Sequence, residues 1–183
     1  MAALRVATRA VELVLLINVI SMQVLGPMLS AALAREAYDD AQRFVSQSSL
    51  VAAGLGLAIY AVLGVWAEAY LDLFGPGFEE GLVALRILVA AHALSMLAGP
   101  SSIMLMMLNR QRLALVLTLA SLGLNYVLSL LLIPPLGLEG AALAAAASWV
   151  FLRALQLAAV LRLSPLDPTP FGIARRLGWR PRA

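Results

Sequence analysis

LALVLTLASLGLNYVLSLLLIPPLGLEGAALAAAASWVFLRALQLAAVLRL, residues 113–163, carries only Glu139, Arg153 and Arg162 as charged side chains. Two apolar runs, 113–133 and 140–163, flank the punctuation IPPLGLEG at 133–140. Each run can carry a helix across a bilayer, since roughly 30 Å of hydrocarbon takes about 20 helical residues. Proline ends the first run, because it lacks an amide hydrogen and clashes with the preceding turn. The runs are rich in leucine and alanine with little period-two alternation, which points away from strands. In lipid an open strand would leave its backbone groups unsatisfied, whereas a helix satisfies its own. The stretch therefore reads as a hairpin of two transmembrane helices.

The same criterion marks three more segments upstream, at about 6–34, 49–71 and 82–108. The expected fold is an all-α integral membrane bundle of five transmembrane helices over residues 1–163. A Pro-rich linker and a basic cytoplasmic tail are expected over 164–183. Composition points the same way. Of 183 residues, 62% are hydrophobic and 13% charged, against about 45–50% and about 25% in soluble domains. A surface that apolar must face lipid over much of its area. The N-terminal MAALRVATRAVELVLLINVI has the arginine-then-apolar order of a signal peptide. Its run is too long, however, contains Glu12 and Asn18, and is followed by no small-x-small cleavage site, so it reads as a retained helix.

The connections sort by charge. AREAYDDAQR (34–43), NRQR (109–112) and the region from Arg162 onward hold Arg35, Arg43, Arg110, Arg112, Arg162, Arg175, Arg176, Arg180 and Arg182. The alternate loops, 72–81 and 134–139, hold no basic residue. By the positive-inside rule the arginine-bearing side is cytoplasmic, and with it the C-terminus. Arg5 and Arg9 break the pattern, because five helices place the N-terminus outside. A further helix ahead of the chain would restore it.

The residues offer little for catalysis. His92 is the lone histidine, cysteine is absent, and no carboxylate pair lies within an apolar segment. HExxH, GxSxG, Walker A and GxGxxG patterns are missing. The expectation is a non-enzyme with no cofactor and no metal site. Nucleic acid is not an expected partner either, as the arginines do not gather on one soluble face. Charges at membrane depth are the informative residues, because each is costly there and faces a cavity or a partner. Arg5, Arg9 and Glu12 fall at i, i+4 and i+7 and share one helix face. They form either an interfacial ion cluster or the lining of a substrate path. Arg86 and His92 lie close to i, i+7 spacing on the third segment. His92 reads as a satisfied interior histidine or a cavity group, and Arg86 as a residue that snorkels outward, pairs with Glu79 or Glu80, or lines the path. Arg153 lies near the middle of the fifth segment, where snorkelling is hardest, and calls for a cavity or a buried partner. The substrate-cavity candidates are Arg5, Arg9, Arg86, Arg153 and His92.

Three stretches in order resemble one transporter family. NYVLSLLLIPPLGLEGAALAAAAS (125–148) is similar to its pattern of an asparagine-bearing helix, Ile-Pro, a glycine turn and Gly-Ala-Ala opening the next helix. LDLFGPGFEEGLVALRILVAAHAL (71–94) resembles its outer turn and following helix. VLGPMLSAALAR (24–35) resembles its proline-bearing helix before a charged cytoplasmic loop. The family is that of the polysaccharide and O-antigen flippases, in the superfamily of lipid II flippases and multidrug and toxin extrusion transporters. The resemblance implies most of the second of two six-helix lobes, with a first lobe as a missing partner. It implies movement of an undecaprenyl-diphosphate-linked glycan across the bacterial inner membrane, with membrane lipid and that lipid-linked anionic glycan as partners. The alternatives are a fragment of a cation-coupled multidrug exporter, for which Glu12 is the only deep carboxylate, and an accessory or truncated membrane protein. A membrane enzyme would need His, Asp or Glu clustered at one depth.

Overall fold

A computed structural model describes residues 26–32, 35, 37–66 and 81–172. Among them every regular element is helical and no strand occurs. We label the helices α1 (26–32), α2 (Tyr38–Val65), α3 (Leu82–Met96), α4 (Ser101–Met107) and α5 (Gln111–Leu163). Tyr38–Val62 and Gln111–Leu163 are each long and apolar enough to cross a membrane, and α3 with α4 pass as a bent pair. Most of the expected first span, including Arg5, Arg9 and Glu12, lies outside the described residues.

α5 runs for 53 residues, but its backbone leaves helical geometry at Gly137, with φ 54° and ψ −121°, just after Pro134 and Pro135. Positive φ at that ψ is open essentially to glycine alone. The two limbs fold back on each other. Ser121 Oγ donates to the Ser148 carbonyl at 2.7 Å, two residues that a straight helix would hold about 40 Å apart. Gly140, Ala144 and Ser148, spaced by four, are buried on the second limb. Small residues at that spacing let helix backbones approach closely. The 113–133 and 140–163 segments are thus two limbs of one hairpin, 21 and 24 residues long.

The third expected segment is broken. α3 and α4 meet at 45° across Leu97–Pro100, where Gly99 takes φ +59° and Pro100 cannot donate to the preceding turn. The next turn is tighter. Asn109 adopts φ 57°, its amide reaches the Met106 carbonyl at 3.0 Å, and the Arg110 amide reaches Leu105 at 2.9 Å. That is a complete Schellman closure, with asparagine in the left-handed position that it tolerates better than most residues.

α2 begins well before its apolar run, at Tyr38 rather than near residue 49. Asp39 and Asp40 in its first turn suit the positive end of the helix dipole. Gln42, Ser46 and Ser49 follow at i, i+4 and i+7, and all three are buried. Their polar atoms need partners: Gln42 Nε2 donates to Ser46 Oγ at 2.8 Å, and Gln42 and Ser49 also reach the chain beyond α5. A buried cluster of Leu29, Ala41, Val45, Leu105, Ala114, Val160 and Leu166 ties α1, α2, α4, both limbs of α5 and the chain beyond α5 together at one end. Arg35, Arg43, Arg110, Arg112 and Arg162 are exposed in the segments that meet there. Away from that end, Leu50, Val51, Leu57 and Val62 of α2 and Leu115, Val116, Leu119, Leu122, Leu130 and Leu131 of α5 stand exposed. So large an apolar surface suits lipid better than water.

Candidate functional site

The second limb of α5 carries Trp149 and Arg153, four residues apart and therefore stacked on one helix face. Across from them α3 supplies His92 and Ser95. The Arg153 guanidinium lies 5.0 Å from the centre of the Trp149 ring, within the range of a cation–π contact. The indole in turn stacks on His92, with ring centres 5.3 Å apart and planes 23° from parallel. Trp149 Nε1 donates to Ser95 Oγ at 3.0 Å, and Ser95 Oγ donates to the His92 carbonyl at 2.8 Å. His92 Nδ1 lies 2.8 Å from the Leu88 carbonyl, an acceptor only, so Nδ1 carries the ring proton. These bonds fix the face of the indole on which the guanidinium rests.

Arg153 has no carboxylate beside it among the described residues. Among the described residues its one side-chain hydrogen bond is a long one, Nη1 to Gln156 Oε1 at 3.5 Å. It lies about 15 Å along the helix from the end at Leu163, far from either end of its limb. Arg153 lines two spaces. One is a cavity of about 550 Å³ lined mainly by apolar groups, among them Leu94, Leu97, Val150, Leu157 and Phe171, with Ser95 and Thr169 as polar groups. The other is a small recess lined by Ser48, Ser49, Ser95 and Gly99. A cavity of that size suits a substantial organic group. A guanidinium at its edge with no carboxylate partner among the described residues provides a planar fork of donors for an anion, phosphate above all.

Of the expected site residues, the structure brings Arg153 and His92 together through Trp149. Arg86 is not with them. It is exposed near the start of α3 and borders neither space at Arg153. Six helical positions separate it from His92, a rotation of about 240°, so the two do not share a face. Arg5 and Arg9 lie outside the described residues. Sequence reasoning passed over Trp149, Ser95 and Gln156. The four-residue spacing of Trp149 and Arg153 was a usable signal, while Ser95 needed the tertiary contact. Among the described residues no cluster of three metal-ligating side chains occurs. Comparisons with protein-family models, with curated proteins and with solved structures return no match.

Proposed function

We propose that this chain is part of a flippase that moves an undecaprenyl-diphosphate-linked glycan from the cytoplasmic to the outer leaflet of a bacterial inner membrane. One observation carries the reading. Arg153 stands in a membrane-length helix without a carboxylate beside it among the described residues, between an apolar cavity and a serine-lined recess. A lipid-linked diphosphate presents the matching chemistry, an anion that takes charge-assisted hydrogen bonds joined to an apolar tail. Hydrocarbon alone does not solvate such a head group, which is the obstacle a transporter removes. The resemblance of residues 24–35, 71–94 and 125–148 to the polysaccharide flippases supports the same reading. In it the arginine-bearing end faces the cytoplasm, five spans make up most of a six-helix lobe, and the partner is a first lobe packed against this one. Alternating access by rocking needs both lobes. The reading is one of transport rather than catalysis.

Complementation tests it. The chain would be expressed in a strain defective in glycan export, alone and together with a first lobe from a flippase of the resembling family. Export is expected to return with the two together and not with the chain alone. Failure of both, with the chain present in the membrane, would count against the proposal.

A further inference from the structure

The chain beyond α5 does not trail away. Ser164 leaves helical geometry, and Pro165, Pro168 and Pro170, which have no amide hydrogen of their own, keep the helix from resuming. The amides that remain over 164–169 all have partners. Ser164 donates to Val160 at 2.9 Å, Leu166 to Ser164 Oγ at 3.1 Å, and Thr169 to Asp167 Oδ1 at 2.9 Å. The Asp167 amide donates to Gln42 Oε1 at 2.8 Å, and Gln42 Nε2 donates back to the Asp167 carbonyl at 2.8 Å. Ser49 Oγ lies 2.6 Å from the Pro168 carbonyl. The buried polar stripe of α2 thus reads the backbone of this segment as a neighbouring strand would. Gly99, at φ +59°, leaves the space that the Pro168 carbonyl occupies.

Thr169 and Phe171 of the same segment form one wall of the cavity that holds Arg153. Phe171 remains 70% exposed, so the strap's far end is anchored by little apolar burial. Its inner part is held by the buried side chains of Leu166 and Pro168 together with the hydrogen bonds from Gln42 and Ser49, and the hydrogen-bonded share is one that water can replace once the strap lifts. We propose that residues 164–172 are a releasable strap, clasped by Gln42 and Ser49, that closes the arginine-bearing end of the Arg153 cavity. The inference stands on this geometry and does not depend on the identity of what enters the cavity.

The chain has no cysteine, so single cysteines report without background. Leu166→Cys reports the strap and Leu157→Cys the cavity, each labelled with a charged, water-soluble maleimide in the detergent-purified full chain. Both are expected to label slowly. Adding Gln42→Ala removes both hydrogen bonds between that side chain and the Asp167 backbone, which favours release into water. Both reporters are then expected to label faster by the same factor, on the order of tenfold. Ser49→Ala replaces Gln42→Ala should that variant not be monodisperse, with the same expectation. Acceleration at 166 without acceleration at 157 overturns the proposal, because the strap would leave without opening the cavity. Acceleration at neither position overturns it as well, because the clasp would hold nothing releasable.

Discussion

Replacing Arg153 with alanine is expected to lower glycan export by about 10- to 100-fold at matched expression, while leaving the chain at least as stable. The size follows from hydrogen bonds to charged groups, which contribute about 1.5–3 kcal/mol, with about 1.4 kcal/mol for each factor of ten. The sign of the stability change is what separates function from structure. A guanidinium held by a carboxylate would leave a buried charge behind when removed and destabilise the fold. Arg153 has no such partner among the described residues, only Trp149 and a 3.5 Å contact to Gln156. Its removal relieves a desolvation cost and forfeits one cation–π contact of about 0.5–2 kcal/mol. Arg153→Lys keeps the charge and loses the planar fork, so its export should fall between the two. Export at parental levels from Arg153→Ala in the complete transporter would remove Arg153 from the substrate path. A marked drop in thermal stability would instead assign it a structural role.

The second large effect is expected at Gly99, this time on stability. An added Cβ there would overlap the Pro168 carbonyl and come within 2.6 Å of Ser49 Oγ, and the backbone sits at φ +59°. The left-handed conformation costs a residue with a Cβ roughly 1–2 kcal/mol, and the backbone of the strap cannot give way without losing its clasp. Gly99→Ala is therefore expected to cost about 2–4 kcal/mol, read as a lower midpoint of thermal unfolding in detergent. Gly123→Ala is the control, because nothing lies within 4 Å of its added Cβ. There the gain in helix propensity makes the change neutral or stabilising by up to about 1 kcal/mol. Equal midpoints for the two variants would contradict the docking of the strap against the α3–α4 turn.

Much of the helical plan was readable from apolar run length and from punctuation. Pro134, Pro135 and Gly137 end one limb and turn the chain because each residue type has few backbone options, and the α5 hairpin bends there. Pro100 lies inside the third segment, and the break between α3 and α4 falls at Leu97–Pro100. What misled was polarity. Residues 34–43 read as a connection ahead of an apolar run from about 49, yet residues 38–48 are helical. Their Gln42 and Ser46, with Ser49, face protein rather than water, and the i, i+4, i+7 spacing of these small polar groups was the available clue. SPLDPTP carried no periodicity at all. Its place is decided by side chains more than 100 residues away in sequence, which local reading does not reach. The site was half legible. The depth of Arg153 singled it out, but the ring stack that seats it joins α3 to α5 and needed the packed structure.

The central claim is that the turns at 34–43 and 109–112 and the chain beyond α5 share one membrane face, opposite the hairpin bend of α5. Its most direct measurement is labelling of single cysteines in intact cells with a membrane-impermeant maleimide. Leu136→Cys at the bend is expected to label from outside, and Arg110→Cys only after the membrane is permeabilised. Labelling of both positions from the same side, or recovery of the chain from the membrane without detergent, would contradict the account.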